Sequence, residues 1–233
     1  MVLLGTLVNG LAIVLASLIG LLVKRIPDKM RETIMIGIAL AVVVLGVNMA
    51  LQSEQFLIVI GSLVVGAVIG EKLDLDGGLN RIGSWIETRV GASEEGSIAK
   101  AFVTTTLIYV VGAMAILGAI DSGLRGDHSV LYTKSMLDGF TAMLFTSTLG
   151  IGVIFSAIPV VLYQGTIALL ATQINEYVPQ ALMDQFIVEM TATGGVMIMA
   201  IGLNIAGILK VRVANLLPGI AVVAVIVTVL YNI

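Results

Sequence analysis

From Val2 onward the chain alternates runs of apolar residues with short charged loops. Each run is about 20 residues long, the length a helix needs to cross the hydrocarbon core of a bilayer. No motif in the sequence constrains the fold as strongly. The composition agrees: 58% hydrophobic and 12% charged residues fall far outside the balance of a soluble domain. The expected fold is an all-α integral membrane protein, a polytopic helical bundle of about eight spans forming one transmembrane domain over residues 1–233.

Several function classes are excluded at this level. The net charge of −3 offers nothing to nucleic acid. With no cysteine there are no disulfides, thiolate metal sites or Cys nucleophiles. His128 is the single histidine, so a zinc site of several histidines is ruled out. No cofactor motif is present. The partners expected are the lipid bilayer and a small ion or solute, and the composition is compatible with a homo-oligomer. The first apolar run has no basic stretch before it and no small-residue cleavage site, which reads as a retained helix rather than a signal peptide.

The spans are expected at residues 2–23, 33–52, 56–70, 101–120, 136–155, 157–174, 182–207 and 213–230. Pro27 should end the first helix, and Ser53, Glu54 and Gln55 make a tight turn. Gly66 and Gly70 have the spacing that permits close helix contact. Residues 71–100 are the long polar segment. There Leu75, Leu79, Ile82 and Ile86 recur at helical spacing beside Trp85, Arg81, Glu87 and Arg89, as in a helix lying in the membrane interface. Residues 91–96 read as a loop. Asp74 and Asp76 resemble the start of a calcium loop without its remaining ligands, so a solvated helix start is the better reading. Residues 121–133 read as an exterior loop.

The segment 134–173 is almost continuously apolar, too long for one crossing, and interrupted by Gly150, Gly152, Ser156 and Pro159. Charge decides how it crosses, because cytoplasmic loops collect Lys and Arg. Two crossings place both termini outside. The inner loops then hold Lys24, Arg25, Lys29, Arg31, Lys72, Arg81, Arg89, Lys100, Lys210 and Arg212, leaving Arg125 and Lys134 outside. One crossing would move Lys210 and Arg212 outside and weaken the asymmetry, so two crossings are expected.

The first and last thirds also resemble each other. Gly5, Ala12, Ile13 and Gly20 match Gly150, Ala157, Ile158 and Gly165, Ile26-Pro27 matches Val178-Pro179, and residues 45–50 (LGVNMA) match 201–206 (IGLNIA). The chain then divides into repeat one (about 1–70), an interfacial helix (71–100), linking spans (101–145) and repeat two (146–233). With eight spans the copies have opposite orientation, and inverted repeats with broken helices are a transporter signature.

Polar residues inside apolar spans are the candidate site, since lipid tolerates them only where they face protein or water. Asp138 follows Lys134 by one helical turn. It reads either as the partner of an i, i+4 ion pair or as a titrating or cation-binding carboxylate. Glu189 has no basic residue within a turn and must be protonated, hydrated or paired across helices. Asn48 and Asn204 occupy matching positions of the two copies and can bridge helices or bind a ligand. Thr146, Ser147 and Thr148 precede two glycines, and Gly194 and Gly195 follow Thr193; hydroxyls and freed backbone can supply oxygen ligands to a cation, while glycines equally allow close packing. Tyr163 and Gln164 lie near the middle of their span. Asn9 and Asn215 lie nearer span ends, at headgroup level.

The segments 5–20 (GTLVNGLAIVLASLIG), 111–140 (VGAMAILGAIDSGLRGDHSVLYTKSMLDGF), 149–165 (LGIGVIFSAIPVVLYQG) and 192–218 (ATGGVMIMAIGLNIAGILKVRVANLLP) resemble, in this order, the bacterial membrane family known as domain of unknown function 554. The resemblance covers most of the chain. It implies an integral protein of the bacterial cytoplasmic membrane, of a family often linked to transport, and it carries over no substrate and no catalytic residue. The expectation is a transporter or channel for a small ion, a cation by preference because buried carboxylates and hydroxyls outnumber buried bases. A scaffold or regulatory subunit is the alternative. An intramembrane enzyme is weaker, since its dyad would need Asp138 with Glu189 or Lys134.

Overall fold

The computed structural model describes residues 1–22, 27–90 and 97–233, without the side chains of Asp28, Arg31, Val90 and Ser97. Lys24, Arg25 and the expected loop 91–96 lie outside the described residues. Among the described residues the regular structure is entirely helical: α1 (Leu4–Leu22), α2 (Asp28–Ala50), α3 (Phe56–Leu73), α4 (Leu75–Val90), α5 (Ser97–Val110), α6 (Ala113–Leu124), α7 (Ser129–Leu149), α8 (Ala157–Tyr177), α9 (Gln180–Ile205) and α10 (Pro218–Tyr231). Short 3₁₀ segments, Ile151–Ser156 and Val213–Leu216, lead into α8 and α10.

The helices are turned inside out relative to those of a soluble protein. On α1 the buried stripe is Gly5, Thr6, Asn9, Gly10, Ile13, Ser17 and Gly20, whereas Leu7, Leu11, Leu15 and Leu18 are exposed. Leucines outward and small or polar residues inward is the arrangement lipid favours, because the tails are as apolar as Leu and helices associate by close packing. Among the described residues, six segments are long and apolar enough to cross a membrane: Leu4–Leu22, Glu32–Ala50, Phe56–Leu73, Ile151–Tyr177, Gln180–Ile205 and Val213–Tyr231. A seventh, Ile98–Val110 with Ala113–Leu124, is bent by 62°. The span expected at 101–120 is thus broken, at a point where Gly112 takes a φ of 145° that favours glycine.

Two compact units are formed. The first comprises Met1–Pro27, Leu79–Val110 and Met114–Tyr177. Its spine is α1 laid along α7. Ideal Cβ atoms on Gly5, Gly139 and Gly20 would meet Leu131, Ala12 and Met143 respectively, so the two helices run parallel. By the same test Gly10 meets Val161 and Gly165 meets Leu3 and Thr6, so α8 runs antiparallel to α1. The expected loop 121–133 shrinks to four residues. Gly126, at φ 66°, accommodates the turn after α6, and the Asp127 carboxylate accepts the Ser129 N–H at 2.9 Å as α7 begins. That bond holds the exposed Asp127 carboxyl below its ordinary pKa. As a result α7 starts seven residues before the expected 136 and carries Lys134 and Asp138 well within the helix.

The second unit comprises Asp28–Gly78, Val111–Ala113 and Val178–Ile233. Here α2 packs antiparallel to α9 through glycines. A Cβ on Gly46 would lie 2.6 Å from the Gly195 carbonyl oxygen, and one on Gly202 would lie 2.8 Å from that of Ala39. Gly66 and Gly70 serve the close contact their spacing suggested: they face Gly219 and the backbone of Asn215, where α3 meets α10 and the 3₁₀ turn before it. Asp74, at φ 49°, ends α3, and α4 starts at the next residue. From Leu79 onward α4 belongs to the first unit. Gly83, Ile86 and Glu87 are buried, while Ile82 and Trp85 are exposed, with the Arg89 guanidinium over the indole ring.

Candidate functional site

The first unit holds a buried charged pair. Lys134 and Asp138 sit one turn apart on α7, and the ammonium nitrogen is 3.0 Å from both carboxylate oxygens. Their side chains are only 9% and 8% exposed. From α1, the Asn9 amide donates to the same carboxylate at 3.0 Å. It also donates to the Gln164 carbonyl oxygen on α8 at 3.3 Å. Three helices thus meet at one polar junction, and Asn9 and Gln164 are both fully buried.

The charge on Asp138 fixes the direction of this network. An ionised carboxylate only accepts hydrogen bonds, so Asn9 presents its NH₂ group and turns its oxygen away. Gln164 then offers its oxygen to Asn9 and turns its own NH₂ group away. Asn9 Oδ1 and Gln164 Nε2 are consequently left without a hydrogen-bond partner, and the buried Thr6 Oγ1 also has none. Thr6 belongs to the same crossing, since it lies beside Gly165.

The polar seam continues along α1 and α7. Ser17 and Thr146 are buried with unpartnered hydroxyls, and Thr146 packs against Gly20, one turn from Ser17. Thr6 and Ser17 are separated by about 16 Å along the helix axis at 1.5 Å per residue, roughly half the hydrocarbon thickness. Ser147 and Thr148 donate back to backbone oxygens on α7, at Leu144 and, for Thr148, also Phe145.

The remaining candidates lie in the second unit. Glu189 is fully buried, and its carboxylate accepts hydrogen bonds from the Ser53 hydroxyl at 2.6 Å and the backbone N–H groups of Glu54 and Gln55 at 3.0 and 2.9 Å. It therefore caps the start of α3, the anion stabilised by the free N–H groups there. Asn204 ties the end of α9 to Val211, donating to its carbonyl oxygen and accepting its N–H. Asn215 accepts the Asp76 N–H at the start of α4. Asn48 is exposed on α2. Gly195 packs against Gly46 and Ala50, and Gly194 against Val111.

Asp138 and Gln164 are thus joined, and the residue joining them is Asn9, which the sequence placed at headgroup level. Thr6 was not singled out either. The available signal was the recurrence of Thr6, Asn9, Ile13, Ser17 and Gly20 on one face of an otherwise leucine-rich helix.

Apolar helices that bury amides, hydroxyls and an ion pair and turn leucine outward define a multi-pass helical membrane protein. Residues 4–228 match the family "Protein of unknown function (DUF554)", and the chain belongs to it. It is 32% identical over 232 residues to the "Uncharacterized membrane protein YdfK" of Bacillus subtilis (strain 168), covering 97% of this chain and 96% of that one. It is 30% identical over 221 residues to the "Uncharacterized protein YqgA" of Escherichia coli (strain K12), covering 93% and 92%. No solved structure matches the chain.

Proposed function

We propose that this protein is a transporter or channel that carries a small ion, preferentially a cation, across the bacterial cytoplasmic membrane through its first unit. The observation that carries the reading is the Lys134–Asp138 pair, enclosed with Asn9 and Gln164 and bordered by three polar groups lacking partners. Removing a charge from water costs several kcal/mol even after relaxation, and apolar residues of similar volume would pack the same helices without that penalty. Ionisable residues retained inside a membrane mark ion paths by default.

Two features support the wider reading. Because α1 is parallel to α7 and antiparallel to α8, segment 134–173 reverses direction, as eight spans with both termini outside require. The inverted repeat is favoured by pairing of its proposed counterparts: α1 packs on α8, α2 on α9 and α3 on α10, each antiparallel. The scaffold reading draws its support from Glu189, whose partners are those of a helix cap.

Purified protein in proteoliposomes decides between them. Imposed Na⁺, K⁺ or proton gradients should drive a flux that Asp138→Asn removes and Glu189→Gln retains. Impermeable vesicles under every gradient would leave the scaffold as the function.

A further inference from the structure

We propose that the outer face of α4, made by Arg81, Ile82, Trp85 and Arg89, binds anionic phospholipid. The guanidiniums hold the phosphate of a net-negative headgroup, and Ile82 and the indole sit among the upper acyl carbons. The surface shares no residue with the Lys134–Asp138 junction and requires a membrane protein, not a transporter.

The helix sorts its charges by side. Arg81 and Arg89 stand four positions before and after Trp85, each about 40° from it around the helix axis. Asp76, nine positions before Trp85, and Glu87, two after it, lie about 180° and about 200° away. Both bases of α4 thus share the indole's side, and both acids lie across the helix. The far side is occupied: Gly83 closes on Ala99, and the Glu87 carboxylate accepts the Ile98 N–H at 3.0 Å. The near side is open. Ile82 and Trp85 are 49% and 61% exposed, and Arg81 and Arg89 are exposed beside them.

The chemistry of that side selects a lipid. Trp85 is the only tryptophan in the chain, and indole rings settle at headgroup level, the apolar body toward the acyl chains and the N–H toward water. The Arg89 guanidinium lies over the ring, 5.6 Å from its centroid, and pairs with no carboxylate among the described residues. Stacking fixes the guanidinium plane and leaves its N–H edge for an anion, and guanidinium grips phosphate oxygens bidentately. A soluble anion would serve the arginines but leave Ile82 and Trp85 in water. A zwitterionic headgroup brings its own ammonium to its phosphate. A lipid of net negative charge meets both halves of the face, and each basic residue at such a surface strengthens the attraction about fivefold.

The test uses the full chain in neutral detergent micelles and reads the fluorescence of its single tryptophan, Trp85. Phosphatidylglycerol and phosphatidylcholine with brominated acyl chains, which quench indole on contact, are titrated separately. Phosphatidylglycerol should quench at about a twenty-fivefold lower mole fraction, about fivefold for each arginine, and the advantage should shrink as NaCl screens the charges. Arg81→Gln and Arg89→Gln should each cut the preference about fivefold, and the double variant should abolish it. A preference kept by the double variant overturns the proposal. If the variants do not fold, the parent decides. Equal quenching by the two lipids, or none by either, overturns the proposal. So does displacement of phosphatidylglycerol by inorganic phosphate at constant ionic strength, which would assign the face to a soluble anion. Each of these results leaves the flux through the first unit to its own test in proteoliposomes.

Discussion

The Glu189 carboxylate accepts the Ser53 hydroxyl across 136 residues of sequence, at 2.6 Å. Together with the N–H groups of Glu54 and Gln55, this makes one buried side chain of α9 the cap of α3. Glu189→Gln retains the shape but replaces one acceptor oxygen with an NH₂ group facing donors. It should lower stability by about 1–3 kcal/mol, the penalty for leaving buried groups poorly paired, with reconstituted flux preserved. Thermal unfolding in detergent measures the first effect. An unchanged melting temperature with abolished flux would return Glu189 to the ion pathway.

Lys134 and Asp138 should show strong coupling in a double-mutant cycle. Either Lys134→Met or Asp138→Leu alone strands a buried charge, at about 3–5 kcal/mol. The double variant strands none and should recover most of that loss while remaining inactive. Additive losses in chemical denaturation would mean that the pair does not interact as its geometry implies.

Gly195 and Gly37 make an opposed pair of tests on related helices. A Cβ on Gly195 would stand 2.5 Å from the Ala50 nitrogen and 2.7 Å from the Gly46 oxygen, whereas one on Gly37 meets nothing within 4 Å. Gly195→Ala should therefore separate α2 from α9 and destabilise by about 1–3 kcal/mol. Gly37→Ala should stay within about 1 kcal/mol of the parent, in the direction set by helix propensity. Equal melting temperatures for the two would contradict the close approach.

Topology is open to cysteine labelling, since the chain has no native cysteine. Ser84 on α4 and Asn175 near the end of α8 are both exposed. With eight spans, Ser84→Cys reacts with an impermeant maleimide only after the cytoplasmic face is opened, and Asn175→Cys reacts in intact cells. Labelling of both from the same side would require a different number of crossings, and the reverse pattern would put both termini inside.

The sequence carried the Lys134–Asp138 pair because i, i+4 spacing on a helix is local information. It also carried the helical membrane fold and the Gly66–Gly70 contact, since both rest on short-range pattern. What it missed depends on distant partners. Asn9 looks like a headgroup residue until α7 brings Asp138 to it from 129 positions away. Glu189 looks unpaired because its donors lie in the 53–55 turn. The break at Gly112 was hidden because the residues on both sides remain apolar, and the early start of α7 depended on one carboxylate, Asp127, meeting one N–H. The helical spacing over residues 75–86 found α4, but not the close approach of Gly83 to Ala99, which needs a partner on the next helix.

The pairing of α1 with α7 and α8, and of α2 with α9, also sets a timetable. Both Asn9 and Ser53 wait for partners more than 120 residues downstream. At 5–20 residues per second, the nascent chain holds its first three helices in the bilayer for on the order of ten seconds before those partners are made. Through that interval the Asn9 amide must be satisfied by water, headgroups or the insertion machinery. The ribosome, rather than the bilayer, therefore sets the earliest moment at which this bundle can close.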